Sequence, residues 1–98
     1  MRVKFHPEVE TELTENTLFY ETKVSGLGFR FINEIERYSA LLSEHPEIGQ
    51  VIDENIRHLV FEQFPYSFIY TIEPEYIWIL AIAHHHKKPG YWRERLDR

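Results

Sequence analysis

The side chains of this 98-residue chain that could move protons or hold anions gather near its end: Arg57, then His84-His85-His86, Lys87, Lys88, Tyr91, Trp92, Arg93 and Arg95. An imidazole titrates near neutrality, so His84 with Tyr91 could serve as an acid–base pair. The alternative is a structural histidine, with the tyrosine packing the terminal segment onto a sheet. Arg57 could hold a phosphate or carboxylate, or instead pair with Glu62 or another of the many acidic residues. On a strand His84 and His86 point the same way, which suits two metal ligands. A transition-metal site needs three or four, and no further His, Cys or carboxylate has companion spacing, so no metal is expected. Trp92 either staples the tail or forms an interaction hot spot. Tyr91, Trp92, Arg93 and Arg95 are the candidate partner-binding residues.

Three strand-like runs must position this cluster. Ile56–Phe64 is the first, broken by Phe64-Pro65. Tyr66–Ile72 alternates large side chains with Ser67, Ile69 and Thr71. Tyr76–Ala83 follows a tight Glu73-Pro74-Glu75 connection and turns abruptly from apolar residues into the histidines. Short connections imply an antiparallel meander. The stretch Ile77-Trp78-Ile79-Leu80 is apolar on both faces, as in mid-sheet.

Upstream, Val3-Lys4-Phe5 is a short strand. His6-Pro7-Glu8 starts a helix, with Pro at the first helical position and Glu8, Glu10 and Glu12 where the helix dipole favours negative charge. Val9, Leu13, Thr17, Tyr20 and Val24 form its inner stripe, and Glu8, Glu12 and Glu15 form a face most simply read as solvated. Gly26 and Gly28 break this helix. A second stripe runs through Gly28, Phe31, Ile35, Tyr38 and Leu42, widened by Ile32, and His45-Pro46 ends it. Residues 47–55 read as a connecting loop. Pro89 opens a brief terminal helix through Tyr91, Trp92 and Leu96. The order β-α-α-β-β-β defines an α+β fold: an antiparallel sheet with an αα-hairpin packed on one face and a short C-terminal segment.

Composition narrows the function. The chain has no cysteine, hence neither disulfide nor thiolate chemistry. It has no run approaching the ~20 apolar residues of a membrane span, and with His6-Pro7-Glu8 so close to Met1 no secretory leader is expected. A single cytoplasmic domain over residues 1–98 is expected, with no membrane association. Residues 1–83 carry six Lys/Arg against fourteen Asp/Glu, whereas residues 84–98 carry five against two. With a net charge of −5, direct nucleic-acid binding by the whole domain is disfavoured.

Phe5-His6-Pro7-Glu8, Gly26-Leu27-Gly28-Phe29-Arg30-Phe31, Glu44-His45-Pro46-Glu47, Arg57-His58-Leu59, Phe64-Pro65-Tyr66 and the ending Ala83-His84…Pro89-Gly90-Tyr91-Trp92-Arg93 occur in an order that resembles the RelE/ParE superfamily of bacterial toxins. Members are often called plasmid-stabilisation proteins and belong to type II toxin–antitoxin modules. The likeness spans nearly the whole chain and is strongest to the ParE-like branch. It implies a cognate antitoxin as partner, with DNA gyrase (ParE type) or the ribosome (RelE type) as candidate target. A toxin homodimer is compatible with it, and no cofactor is implied.

The residues separate the two branches. Cleaving RNA needs a group to activate the 2′-hydroxyl, a cation for the phosphate and an acid for the leaving oxygen. RelE-like ribonucleases place several Lys/Arg on the central strands. The corresponding positions here read His58, Val60, Glu62 and Ser67. Lys87 and Tyr91 match, by position, a basic residue and a tyrosine of the ribonuclease ending. Arg57, His84, Lys87 and Tyr91 are thus the catalytic candidates of a metal-independent mRNA endoribonuclease. That set is partial, so inhibition by protein binding is the favoured expectation, with a non-toxic binding module as a third reading.

Overall fold

The computed structural model describes residues 1–97. The chain runs β1 (Arg2–Phe5), α1 (Pro7–Lys23), α2 (Leu27–Glu44), a 3-10 turn (Pro46–Ile48), β2 (Gln50–Asp53), β3 (Ile56–Val60), β4 (Tyr66–Ile72), β5 (Tyr76–His84) and a second 3-10 turn (Arg93–Asp97). Local chemistry explains the helix boundaries. The His6 imidazole accepts the backbone N–H of Glu8 at 3.0 Å, capping α1 just before Pro7. Gly26, at φ 87°, supplies the left-handed residue of the interhelix turn. The Glu21 carboxylate then accepts from Gly26 N at 2.9 Å and Gly28 N at 3.0 Å, satisfying the first donors of α2.

The five strands form one sheet in the order β1-β5-β4-β3-β2. β3, β4 and β5 make the expected antiparallel meander. Two features extend the expected architecture. β1 lies parallel to β5, because the helical hairpin carries the chain back across one face before the meander begins. The segment read as a loop over residues 47–55 contains β2, a four-residue edge strand paired antiparallel to β3. β3 ends at Val60, short of Phe64, because Phe61 N bonds Tyr66 O and Tyr66 N bonds Phe64 O in a tight turn.

The helices cover one face of the sheet. Phe31, Ile35, Tyr38 and Leu42 on α2 meet Tyr66, Phe68 and Tyr70 on β4 and Ile77, Ile79 and Ile82 on β5. Ile79 and Ile82 share that face although they are three residues apart. A bulge places Leu80 and Ala81 together opposite Ile69, so both point to the other side. The buried Glu34 carboxylate accepts from Arg37 and from Gln63 N, tying α2 to the β3–β4 turn.

Candidate functional site

The face of the sheet away from the helices is only partly covered. The pairings His58 with Ile69 and Ser67 with Ala83 place these four residues there. Past His84 the chain turns, with Lys87 N bonded to His84 O. Gly90, at φ 77°, then lets it fold back across this face. Trp92, 4% exposed, packs on Ile56, Ile69, Leu80 and Ala81. Residues 85–97 thus form a strap, and between strap and strands lies a cleft of about 320 Å³. Its lining includes His58, Ser67, His85, Lys87, Lys88 and Arg93.

The strap is anchored through an unfinished strand edge. β1 accompanies β5 only as far as Ile79, leaving the outer edge beyond it without a neighbouring strand. Side chains complete that edge. Ile82 N donates to Glu12 Oε1 at 3.0 Å, and Arg95 Nη1 donates to Leu80 O at 2.8 Å. The second Glu12 oxygen accepts from the Tyr91 hydroxyl at 2.7 Å and from Arg95 Nη2 at 3.0 Å. The Glu12 and Arg95 side chains are 16% and 12% exposed, so this pair is sheltered from solvent screening. Burial first, and then the Glu12 carboxylate, push the Tyr91 phenol well above the usual tyrosine range. Tyr91 is held as an O–H donor.

The structure brings three of the four catalytic candidates to one end of β5 and leaves the fourth elsewhere. Tyr91 is committed to Glu12, and the Lys87 ammonium sits 5.3 Å from the centre of its ring. His84 packs edge-on against Tyr66 at 4.8 Å, and its Nδ1 accepts His86 N at 3.0 Å. Its pKa is lowered, first by burial and then by His86, His85 and Lys87. Arg57 does not line the cleft. Its guanidinium donates to the carbonyls of Glu47 and Gly49, bracing the segment that enters β2. Of the partner-binding candidates, only Arg93 is exposed, and it pairs with Asp53 at 2.9 Å. Trp92 is a staple under the strap, and Tyr91 and Arg95 are its clasp.

Two elements of the site carry no local signal in the sequence. Glu12 was expected on a solvated helix face, yet it binds partners about seventy residues further along the chain. Ser67, 4% exposed, has its Oγ 3.0 Å from His85 Nε2, a pair joining β4 to the start of the strap. Among the described residues no group of three or more His, Asp or Glu is arranged to hold a metal ion. No described helix is long and apolar enough to cross a membrane.

Several of the charged groups around the strap already have partners. Arg57 and Arg95 are spent on carbonyls and a carboxylate, Arg93 is paired, and the phenol is fixed as a donor to Glu12. Lys87 and Lys88, by contrast, take part in no ion pair among the described residues.

Residues 3–89 match the family model described as ParE toxin of type II toxin-antitoxin system, parDE. No curated protein matches the sequence. Among solved structures, a chain of the chromosomal ParDE TA system from P. aeruginosa shares the fold, with a TM-score of 0.73 at 19% identity over 86% of this chain and 95% of that one. The model match covers most of the chain, and the protein belongs to the ParE toxin family of type II toxin–antitoxin systems.

Proposed function

We propose that this toxin acts by binding a bacterial protein, with DNA gyrase as the target, and that a cognate antitoxin neutralises it. The observation that carries this reading is the Glu12 clasp: Tyr91, one of the catalytic candidates, is consumed together with Arg95 in holding the strap. The exposed apolar residues Leu18, Phe19, Val24 and Phe29 near the interhelix turn support an antitoxin that covers the hairpin. In this reading the chain works as one cytoplasmic domain without a cofactor, and the same apolar hairpin is the surface through which two toxins would pair.

The test is induced expression in a bacterial host, alone and together with the neighbouring small gene. Growth arrest with a DNA damage response and intact mRNA, relieved by the neighbour, is the expected result. Arrest with cleaved mRNA would overturn the proposal and make the strap residues catalytic. Normal growth with folded protein would mean that this chain is not a toxin in that host.

A further inference from the structure

We infer that the cleft beneath the strap is a docking slot for a carboxylate-bearing segment of a protein partner. This deepens the protein-binding reading above and rests on it. The chain is acidic overall, yet the described residues lining the cleft include no Asp or Glu. Lys87 and Lys88 are exposed, and among the described residues neither takes part in an ion pair. Two imidazoles, His58 and His85, have Nε2 on Gln50 Oε1 at 3.3 Å and Ser67 Oγ at 3.0 Å, which leaves each a second ring nitrogen that can donate to a carboxylate. His85 is held at both ends: its backbone N–H bonds Pro65 O at 2.9 Å, and its Nε2 lies 3.0 Å from Ser67 Oγ.

Apolar wall comes from Ile52, Ile69 and Trp92 and would receive the aliphatic stem of a glutamate. The volume is near the lower end for ligand sites, roughly 300 Å³ and up, so the slot admits a side chain or two of an extended segment. It also exists before any ligand arrives, because Trp92, the Glu12 clasp and the Arg93–Asp53 pair fix the strap. Protein suits the slot better than nucleic acid. A phosphate backbone needs a track of cations, whereas here two lysines stand free and the third cation, Arg93, already shares its charge with Asp53.

The test is a titration of the isotope-labelled full chain with an acetylated hexaglutamate peptide, followed by amide NMR and repeated with hexauridylate. Shifts should gather at His58, Ser67, His85, Lys88 and Gly90. The double variant Lys87→Glu/Lys88→Glu should bind hexaglutamate about tenfold more weakly, as expected for losing and reversing close charges. Arg2→Glu/Lys4→Glu, the same charge change on β1, should bind as the wild type does. Shifts elsewhere, equal weakening by both variants, no binding, or tighter binding of hexauridylate at equal ionic strength would each overturn the inference. A gyrase supercoiling assay separates it from the proposed function. Undiminished inhibition by Lys87→Glu/Lys88→Glu would remove the slot from target docking while leaving the gyrase reading intact. Wild-type protein that binds the peptide in the slot but leaves gyrase active would uphold the slot and overturn the gyrase reading.

Discussion

On the helix side of the sheet, thirteen buried residues from α1, α2, β4, β5 and the β3–β4 turn form one continuous core, rich in aromatic contacts. On the strap side, five buried residues form a small cluster whose lid is a single tryptophan. The large core is held mainly by apolar area, with hydrogen bonds of Tyr38, Tyr70 and Glu34 at its margins. The small one cannot bury enough area to hold thirteen residues of strap without help. Polar ties supply the rest: the Glu12 clasp, the Ser67–His85 pair and the Arg93–Asp53 pair. The strap is therefore expected to open before the helix side does when the fold is perturbed.

The sharpest way to break this division is to attack each side in turn. Phe31 is 0% exposed and touches Tyr20, Phe64 and Tyr66 ring to ring. Phe31→Ala should cost about 3–5 kcal/mol in urea unfolding and loosen the whole domain. Trp92→Ala should cost less globally, about 2–3 kcal/mol, because the vacated site opens to solvent and its lid can move away. Hydrogen exchange should then accelerate over residues 85–97 while amides of α2 and β4 keep their protection. Equal acceleration throughout would erase the distinction between the two faces.

Glu12→Ala should come next, at about 2 kcal/mol, because it leaves the Arg95 guanidinium and the Ile82 N–H without their acceptor. Glu12→Gln keeps an acceptor and should recover part of the loss in the same urea unfolding. The smallest effect is a pH dependence at His84. Its folded pKa lies below the ordinary value of about 6.5, so the unfolded chain takes up the proton first as pH falls. Stability should therefore drop as pH falls through about 6.5 toward the lower folded value, and be unaffected by this group above that range. His84→Gln should flatten that part of the profile relative to wild type. An unchanged slope would contradict the lowered pKa of His84.

The two faces also differ in how far they can be read from sequence. The helix side follows periodicity: the stripe Phe31, Ile35, Tyr38, Leu42 and the alternation Tyr66, Phe68, Tyr70 turn inward as their spacing implies. Helix boundaries follow from His6-Pro7, Gly26 and His45-Pro46, because caps and breakers act within a few residues. Where contacts are distant, the spacing is silent. β2 is four residues long with Val51 and Ile52 exposed, so it has no alternation to announce it, and it forms because β3 offers an edge. Ile77-Trp78-Ile79-Leu80 offers no alternation to read, and the bulge at Leu80 and Ala81 reverses which side the following residues take. Glu12 resembles any helical surface glutamate until the fold brings Ile82, Tyr91 and Arg95 to it.

Tyr91 is where the accounts of this molecule divide most cleanly, since a toxin that cleaves RNA would use that phenol and a toxin that binds protein uses it as a tie. The decisive measurement is cleavage of messenger RNA on translating ribosomes by purified wild-type protein and by Tyr91→Phe, which keeps the ring packed on the strap-side cluster. The account predicts no cleavage by either protein, with both folded and the variant's strap exchanging slightly faster. Cleavage by the wild type that disappears in a folded Tyr91→Phe would contradict it.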